Sequence, residues 1–523
     1  MAARLTTVTT ASAMARAMLR PERPDRLPRA MAAMAAWGPT MAGAIAAATA
    51  RYPMADALID DNGPVRYGDL WVATDSVARR LKARGVGQDS TIGILARNGR
   101  VFVLSLVAAA KLGADVVYLN TGFAGPQLAD VVEREGVDTI LHDDEFTPIV
   151  EAAGARVTLA GSEIRASGRT RSLVPFTPTR RNGRQVILTS GTTGRPKGAS
   201  RGGGGGGAGS LGPVLSVSPL RARDTVVIAA PLFHAWGLVH MGVGLGMSST
   251  AVIHAHFDPE ATLAAIAEHH ADGLVVVPVM LQRILALGGE VIARYDTSSL
   301  RYIASSGSAL GATLATATLR RFGPILYNVY GSTEVSLATV ATPADLQAAP
   351  ATVGRPATGS TVRILDGDGV ALGPDLVGRV FVGSGSRFDG YTGGGGKEEI
   401  DGLLSTGDLG HFDRDGRLFI DGRDDDMIVS GGENVFPAEV EELLAGLPAV
   451  IEAAVIGVPD EEYGQRLKAF VVRRDGHRLT EKQVKDHVRT HLARYKVPGS
   501  VVFLDALPRT TTGKLRRIDL RDL

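Results

Sequence analysis

The sequence predicts an α/β protein: a large N-terminal domain of helix-covered, mostly parallel sheets, then a small α+β domain. Three observations lead there. At 523 residues the chain is too long for a single hydrophobic core. From about Leu70, apolar β-branched runs alternate with helical stretches, the pattern of parallel strands buried on both faces. Near residue 420 that alternation gives way to a compact unit of strands and helices.

Each element follows from its own residues. The first 40 residues are rich in Ala, Met and Arg, but Arg16, Arg20 and Arg23 interrupt the apolar stretches, so they do not read as a signal peptide. They are expected to pack on the body, with a helical Met/Ala face at a membrane surface as the alternative. "LWVATDSVARRLKARG" has helical spacing and stops at Gly85. "STIGILA" and "ADVVYLN" read as strands flanking the helix "RVFVLSLVAAAKLG". Further strands are "VDTILHD", Gln185 to Leu188, "TVVIAAP", "STAVIHAHF", "GLVVVPV", "LRYIASSG" and "PILYNVYG". No uncharged apolar run approaches the ~20 residues that span a bilayer.

Residues 1–420 are therefore read as one large domain, with residues 1–40 a leader. Asp421 to Asp426 is read as a hinge, and residues 427–523 as the small domain. The small domain is expected to hold the strands "AVIEAAVIGV" and "RLKAFVVR" and the helix "TEKQVKDHVRTHLARY". The runs Gly202–Gly207 and Gly393–Gly396 read as flexible spacers.

Composition narrows the function. With 45% hydrophobic and 21% charged residues the chain is ordinary for a globular protein. Its 56 basic and 55 acidic residues leave a net charge of +1, so no global field favours nucleic acid. It has no cysteine, which excludes disulfides, thiolate metal sites and an enzyme-bound thioester. A cytoplasmic location, with a peripheral membrane contact as the variant, fits these features.

One loop carries the most chemistry. Leu188 to Ser200 reads "LTSGTTGRPKGAS" and follows a strand. Ligands of open parallel sheets bind beyond the carboxyl ends of strands. Glycine amides with no Cβ in the way can converge on phosphate oxygens, hydroxyls add donors, and Lys197 adds a cation. The order differs from the usual Gly-Lys-Ser/Thr phosphate loop, since Lys197 lies between Pro196 and Gly198.

That string resembles the phosphate loop of the adenylate-forming superfamily, which includes acyl-CoA synthetases, firefly-luciferase-like enzymes and peptide-synthetase adenylation domains. Four further segments resemble that family's motifs, in family order: "YGSTE" at Tyr330–Glu334, "STGDLG" at Ser405–Gly410, "GRDDDMIVSGGENVFPAEVE" from Gly422, and "LPRTTTGKLRR" from Leu507. The resemblance implies ATP-dependent activation of a carboxylate to an acyl-AMP, followed by transfer to coenzyme A. It makes the small domain mobile.

It also implies roles. Thr189, Ser190, Gly191, Thr192, Thr193, Gly194 and Lys197 would cradle the β- and γ-phosphates. Glu334 would hold Mg2+, Thr333 would donate to the α-phosphate, and Tyr330 would lie along the adenine, with Gly331 and Ser332 also binding the nucleotide. Gly307, Ser308 and Ala309 would pass beside the adenine and acyl carbonyl. Asp408 would accept from the ribose hydroxyls, with Arg423 assisting. Lys514 would reach between the α-phosphate and the substrate carboxylate. Asp425 matches the family's pivot, and Gly431 and Gly432 would then admit a pantetheine arm. His234 matches a position near the acyl carbonyl that gates the thiol.

The acid is read from "PLFHAWGLVHMGVGLGM". In the amino-acid-activating members of the family it resembles, this region commonly carries an aspartate for the substrate ammonium; no acidic residue lies between Pro231 and Phe257, so the resemblance argues against an amino acid substrate. Gly237, Gly242, Gly244 and Gly246 leave volume that would suit an aliphatic chain, with Trp236 lining or closing it, so a medium- or long-chain fatty acid is expected. An aryl-CoA ligase, or a ligase loading a carrier protein, is the alternative.

Overall fold

The computed structural model describes residues 25–169, 176–190, 196–202, 219–308, 310–385, 387–423, 428–435, 437–474, 476–508, 517–521 and 523. Among these residues two large sheets form the body. The nine-stranded sheet has Leu326–Ser332, Tyr302–Ser305, Gly273–Val276, Thr225–Ile228, Thr250–Val252 and Asp56–Asp60 running parallel at its centre. Its edges turn antiparallel. The seven-stranded sheet runs parallel from Gln185–Ser190 through Asp115–Tyr118, Thr91–Leu95 and Thr139–His142 to Val157–Ala160. Its other edge is antiparallel, built from Pro196–Arg201 and Gly390–Tyr391.

Helices cover these sheets as the alternating pattern requires. Arg100–Leu112 is apolar almost all round and is buried with Phe102, Leu106 and Val107 between the strand layers. It stops at Gly113, whose φ of +68° places it in the left-handed region that ends helices. Part of the N-terminal leader packs as expected. The helix Arg26–Trp37 buries Trp37 edge-on against Trp71, ring centroids 5.2 Å apart. No helix among the described residues is long and apolar enough to cross a membrane.

A third, five-stranded antiparallel sheet was not expected. It runs from Ser360–Leu365 through Gly378–Ser384 and Leu403–Phe412 to the short Glu399–Ile400, with Leu418–Arg423 added on Leu403–Phe412. Its core joins Val362, Val380 and Leu404 to Ala199 beside the phosphate loop and to Val335 and Ala338 after "YGSTE". That packing fixes two motifs against each other.

The smaller C-terminal domain has a core of its own. Alternation along Val450–Asp460 and Gly464–Arg473 sends Val455, Leu467, Ala469 and Val471 to one face, under the helices Pro437–Ala445 and Glu481–His491. Ala454, Ile456 and Phe470 point the other way, where Leu507 and Leu520 cover them. The proposed hinge begins inside a strand, since Leu418–Arg423 pairs with Leu403–Phe412. Asp424 to Asp426 lie outside the described residues.

Candidate active site

Two strands of a β-hairpin flank the glycine-rich stretch expected to bind phosphate. Strand Gln185–Ser190 returns as Pro196–Arg201, with Thr189 opposite Lys197. The Thr189 hydroxyl donates to the Lys197 carbonyl at 3.3 Å, tying the neck of the turn. The tip, Gly191 to Gly194, lies outside the described residues, as do Ala309, Asp425 and Lys514.

"YGSTE" stands beside this hairpin. Glycine is required at Gly331, because a Cβ there would lie 2.0 Å from the Ser336 carbonyl oxygen. The Ser332 hydroxyl accepts from the Glu334 and Val335 amides at 3.2 and 3.3 Å, which tightens the turn that presents Thr333 and Glu334. Arg201, the last residue of the hairpin, donates to the Thr333 carbonyl at 3.0 Å. Glu334 is buried, and its Oε1 accepts from the Tyr391 hydroxyl at 3.0 Å. The Tyr391 ring also faces the Lys197 ammonium, 5.3 Å from its centroid.

The run Gly393–Gly396 is exposed and follows a short paired strand. The strand Gly390–Tyr391 pairs with Ser200 and Ala199, and the Gly394 amide closes on the Tyr391 carbonyl at 2.9 Å. Backbone pairing thus anchors the chain leading into the run. Of the other run only Gly202 is described, bound through its amide to Asp389.

Tyr330 and Asp408, widely separated in sequence, meet: the phenol donates to Oδ2 at 2.5 Å. Asp408 is buried and pairs through its backbone with Arg423. The Ser306 hydroxyl donates to the Val329 carbonyl at 2.8 Å, joining the segment of Gly307 and Ser308 to the strand that carries Tyr330.

The C-terminal domain presents its "SGGEN" turn to this site. Gly431 and Gly432 have φ of +60° and +86°, left-handed values that favour glycine. A Cβ on Gly432 would lie 3.8 Å from Val277, and one on Gly307 would lie 3.4 Å from the same side chain. The Glu433 carboxylate bonds His234 Nε2 at 2.7 Å. Burial draws the His234 pKa down, but the charge and hydrogen bond of Glu433 outweigh it, and the net shift is upward. Below these groups Gln127 donates to Glu439 at 3.1 Å, and Glu439 pairs with the buried Lys496. Arg283 and Glu462 form a further bridge of 2.6 Å across the same boundary. A small cavity opens among Thr189, Phe233, His234, Glu433, Tyr495 and Lys496.

Sequence reasoning missed Tyr391, Arg201, Gln127, Glu439 and Lys496. Nothing periodic marks them, and they acquire neighbours only through sheet pairing and domain contact. It also misjudged the glycines after His234. They lie on the helix Ala235–Gly246, where Gly242 closes on the Met41 side chain (3.3 Å from a Cβ position) and Gly246 on Ala44 (3.4 Å). Gly237 closes on the Pro231 carbonyl, at 2.5 Å. Beside Gly242 and Gly246 the space is filled by the helix Met41–Arg51, and beside Gly237 by backbone. Trp236 is pinned by its indole to the Val276 carbonyl, at 3.0 Å.

Comparison with known proteins adds independent findings. The family model "AMP-binding enzyme" matches residues 45–392, and "AMP-binding enzyme C-terminal domain" matches residues 439–514. Indoleacetate–CoA ligase of Aromatoleum aromaticum is 34% identical, over 87% of this chain and 92% of its own. Feruloyl-CoA synthase of an Amycolatopsis species is 33% identical, over 90% and 96%. Fatty acid–[acyl-carrier-protein] ligase ScoC of Streptomyces coeruleorubidus is 29% identical, over 90% and 93%. Among solved structures, o-succinylbenzoate CoA synthetase of Bacillus subtilis, bound with its product analogue, superposes with a TM-score of 0.81 at 27% identity, covering 92% of this chain and 98% of that one. ATP-bound MatB of Rhodopseudomonas palustris, at the same identity and coverage, reaches 0.66.

Proposed function

The chain belongs to the AMP-binding enzyme family and is an AMP-forming acid–CoA ligase, and we propose that its acid is aromatic. The observation that carries the choice of acid is the packing of Ala235–Gly246: its glycines close on Met41, Ala44 and backbone, which removes the basis for a long aliphatic channel. Relatives named for indoleacetate, ferulate and succinylbenzoate support the same reading. Pyrophosphate release with indole-3-acetate, hydroxycinnamates, o-succinylbenzoate and C8–C16 fatty acids, with and without coenzyme A, tests it. Higher kcat/KM for the fatty acids, rising with chain length, would refute it.

In the first half-reaction a carboxylate oxygen forms a bond to the α-phosphorus of ATP, and the bond to the β-phosphate oxygen breaks, releasing pyrophosphate. The hairpin with Thr189 and Lys197 holds the leaving phosphates, and Thr333 donates to the α-phosphate. The site fits Mg2+. Glu334 is a single buried carboxylate, and no group of three or more His, Cys, Asp or Glu gathers among the described residues. That donor set suits a cation that draws its remaining ligands from phosphate and water. Bound with ATP, Mg2+ neutralises charge on the transferred group. Asp408 and Tyr330 hold the ribose and adenine, and Lys514 orients the carboxylate.

In the second half-reaction a thiol sulfur attacks the acyl carbonyl and AMP leaves. We take the arrangement described above as the one for thiol transfer. Gly432 of the C-terminal domain stands next to Val277, the side chain that also borders Gly307, and Glu433 engages the gating His234. Leu507 and Leu520, which flank Lys514 in sequence, pack on the far face of that domain's sheet. The closer superposition on the product-analogue complex than on the ATP-bound relative supports this reading. Adenylation then needs the C-terminal domain to turn about the segment near Asp425 and bring Lys514 inward.

A further inference from the structure

We propose that Tyr391 is a positioning residue that keeps the phosphate-loop cation and the metal-site carboxylate apart and aimed at their ligands. The proposal rests on Glu334 as the metal ligand. Two observations carry it. The Tyr391 hydroxyl donates to Glu334 Oε1 at 3.0 Å, while its ring face receives the Lys197 ammonium at 5.3 Å from the centroid. One side chain therefore touches the working end of each motif.

The chemistry of that placement is specific. An ammonium and a carboxylate free to meet at a half-buried site collapse into an ion pair, and each is then quenched towards incoming ligands. A phenol between them offers each a weaker partner. The cation–π contact and the neutral hydrogen bond hold both groups in place and are readily surrendered, to phosphate and to Mg2+ respectively. The ring is itself fixed. Strand Gly390–Tyr391 is bonded to Ala199 and Ser200, the ring packs edge-on against Phe388 at 5.0 Å, and the Phe388 amide donates to the Glu334 carbonyl at 2.9 Å. Arg201 holds the neighbouring Thr333 carbonyl from the other side.

Tyr391→Phe removes the hydroxyl and keeps the ring; Tyr391→Leu removes both. Binding of α,β-methylene-ATP to the full chain is followed by calorimetry, with and without Mg2+. The KM for MgATP and kcat are measured beside it. For Tyr391→Phe the expected result is unchanged metal-free affinity and a Mg2+ requirement raised about fivefold. For Tyr391→Leu, metal-free affinity also falls about tenfold. Thioester formation from supplied acyl-AMP stays unchanged in both. Glu334→Gln is the control. If it raises the Mg2+ requirement and Tyr391→Phe does not, Tyr391 has no positioning role and the proposal is overturned. If Glu334→Gln changes nothing, Glu334 is no metal ligand, and the proposal falls with that assignment. Should Tyr391→Leu fail to fold, Tyr391→Phe alone decides.

Discussion

A disulfide can hold the two domains in the arrangement described here. A Cβ built on Gly122 lies 3.7 Å from the Ala493 Cβ, within the ~3.5–4.5 Å separation that disulfides adopt. Gly122 belongs to the N-terminal body and Ala493 to the C-terminal domain, and the natural chain has no cysteine to interfere. Gly122→Cys with Ala493→Cys should therefore cross-link on mild oxidation. If adenylation needs the other orientation, a cross-link leaving about one molecule in a hundred free lowers pyrophosphate formation about a hundredfold. Thioester formation from supplied acyl-AMP should change by less than about threefold, because this orientation is the one that performs it. Reductant should restore adenylation. The assays are pyrophosphate release for the first half and thioester absorbance for the second, on oxidised and reduced samples. Equal activity in both halves after complete cross-linking would show that no rotation is needed. Failure to cross-link at all would show that these residues are not neighbours in solution.

Lys514→Ala should reduce adenylation by at least a hundredfold, roughly the worth of one charge-assisted contact in a transition state, and spare thioester formation from acyl-AMP; equal loss of both contradicts its role. Asp408→Asn weakens charge-assisted hydrogen bonds to the ribose and should raise the KM for ATP about tenfold, while Tyr330→Phe, which removes the 2.5 Å bond orienting Asp408, should act in the same direction and less strongly. Because Glu433 raises the His234 pKa, their pairing favours the present orientation most fully below the ordinary histidine value, and that contribution fades as pH rises through the raised value. Glu433→Gln should lower the His234 pKa measured by NMR and flatten the pH dependence of the thiol-transfer step; an unchanged titration would contradict the pairing.

Much of the fold was legible because the chain states it locally. Apolar β-branched runs such as Thr139–His142 and Gly273–Val276 are fully buried and became central parallel strands. The antiparallel sheet of residues 360–423 was not read, because strands such as Gly378–Ser384 and Leu403–Phe412 mix glycine and polar residues among their apolar ones and no helices separate them. At the site, ordered strings such as "TSGTTGRPKG" and "YGSTE" could be read because their neighbours lie within a few residues. Tyr391 could not, since it meets Glu334 only after pairing with Ala199 across a sheet edge. The glycines of Ala235–Gly246 misled for a related reason: small side chains signal close approach, but sequence does not say whether a ligand or the helix Met41–Arg51 approaches.

The most direct test of the account follows the oxygen atoms. The chain is given ATP, coenzyme A and an aromatic acid whose carboxylate carries ¹⁸O, and the nucleotide product is weighed by mass spectrometry. Attack of that carboxylate on the α-phosphorus, followed by thiolysis at the carbonyl, must leave one labelled oxygen on AMP and none on pyrophosphate. Unlabelled AMP, or ADP with labelled inorganic phosphate, would contradict an acyl-adenylate route.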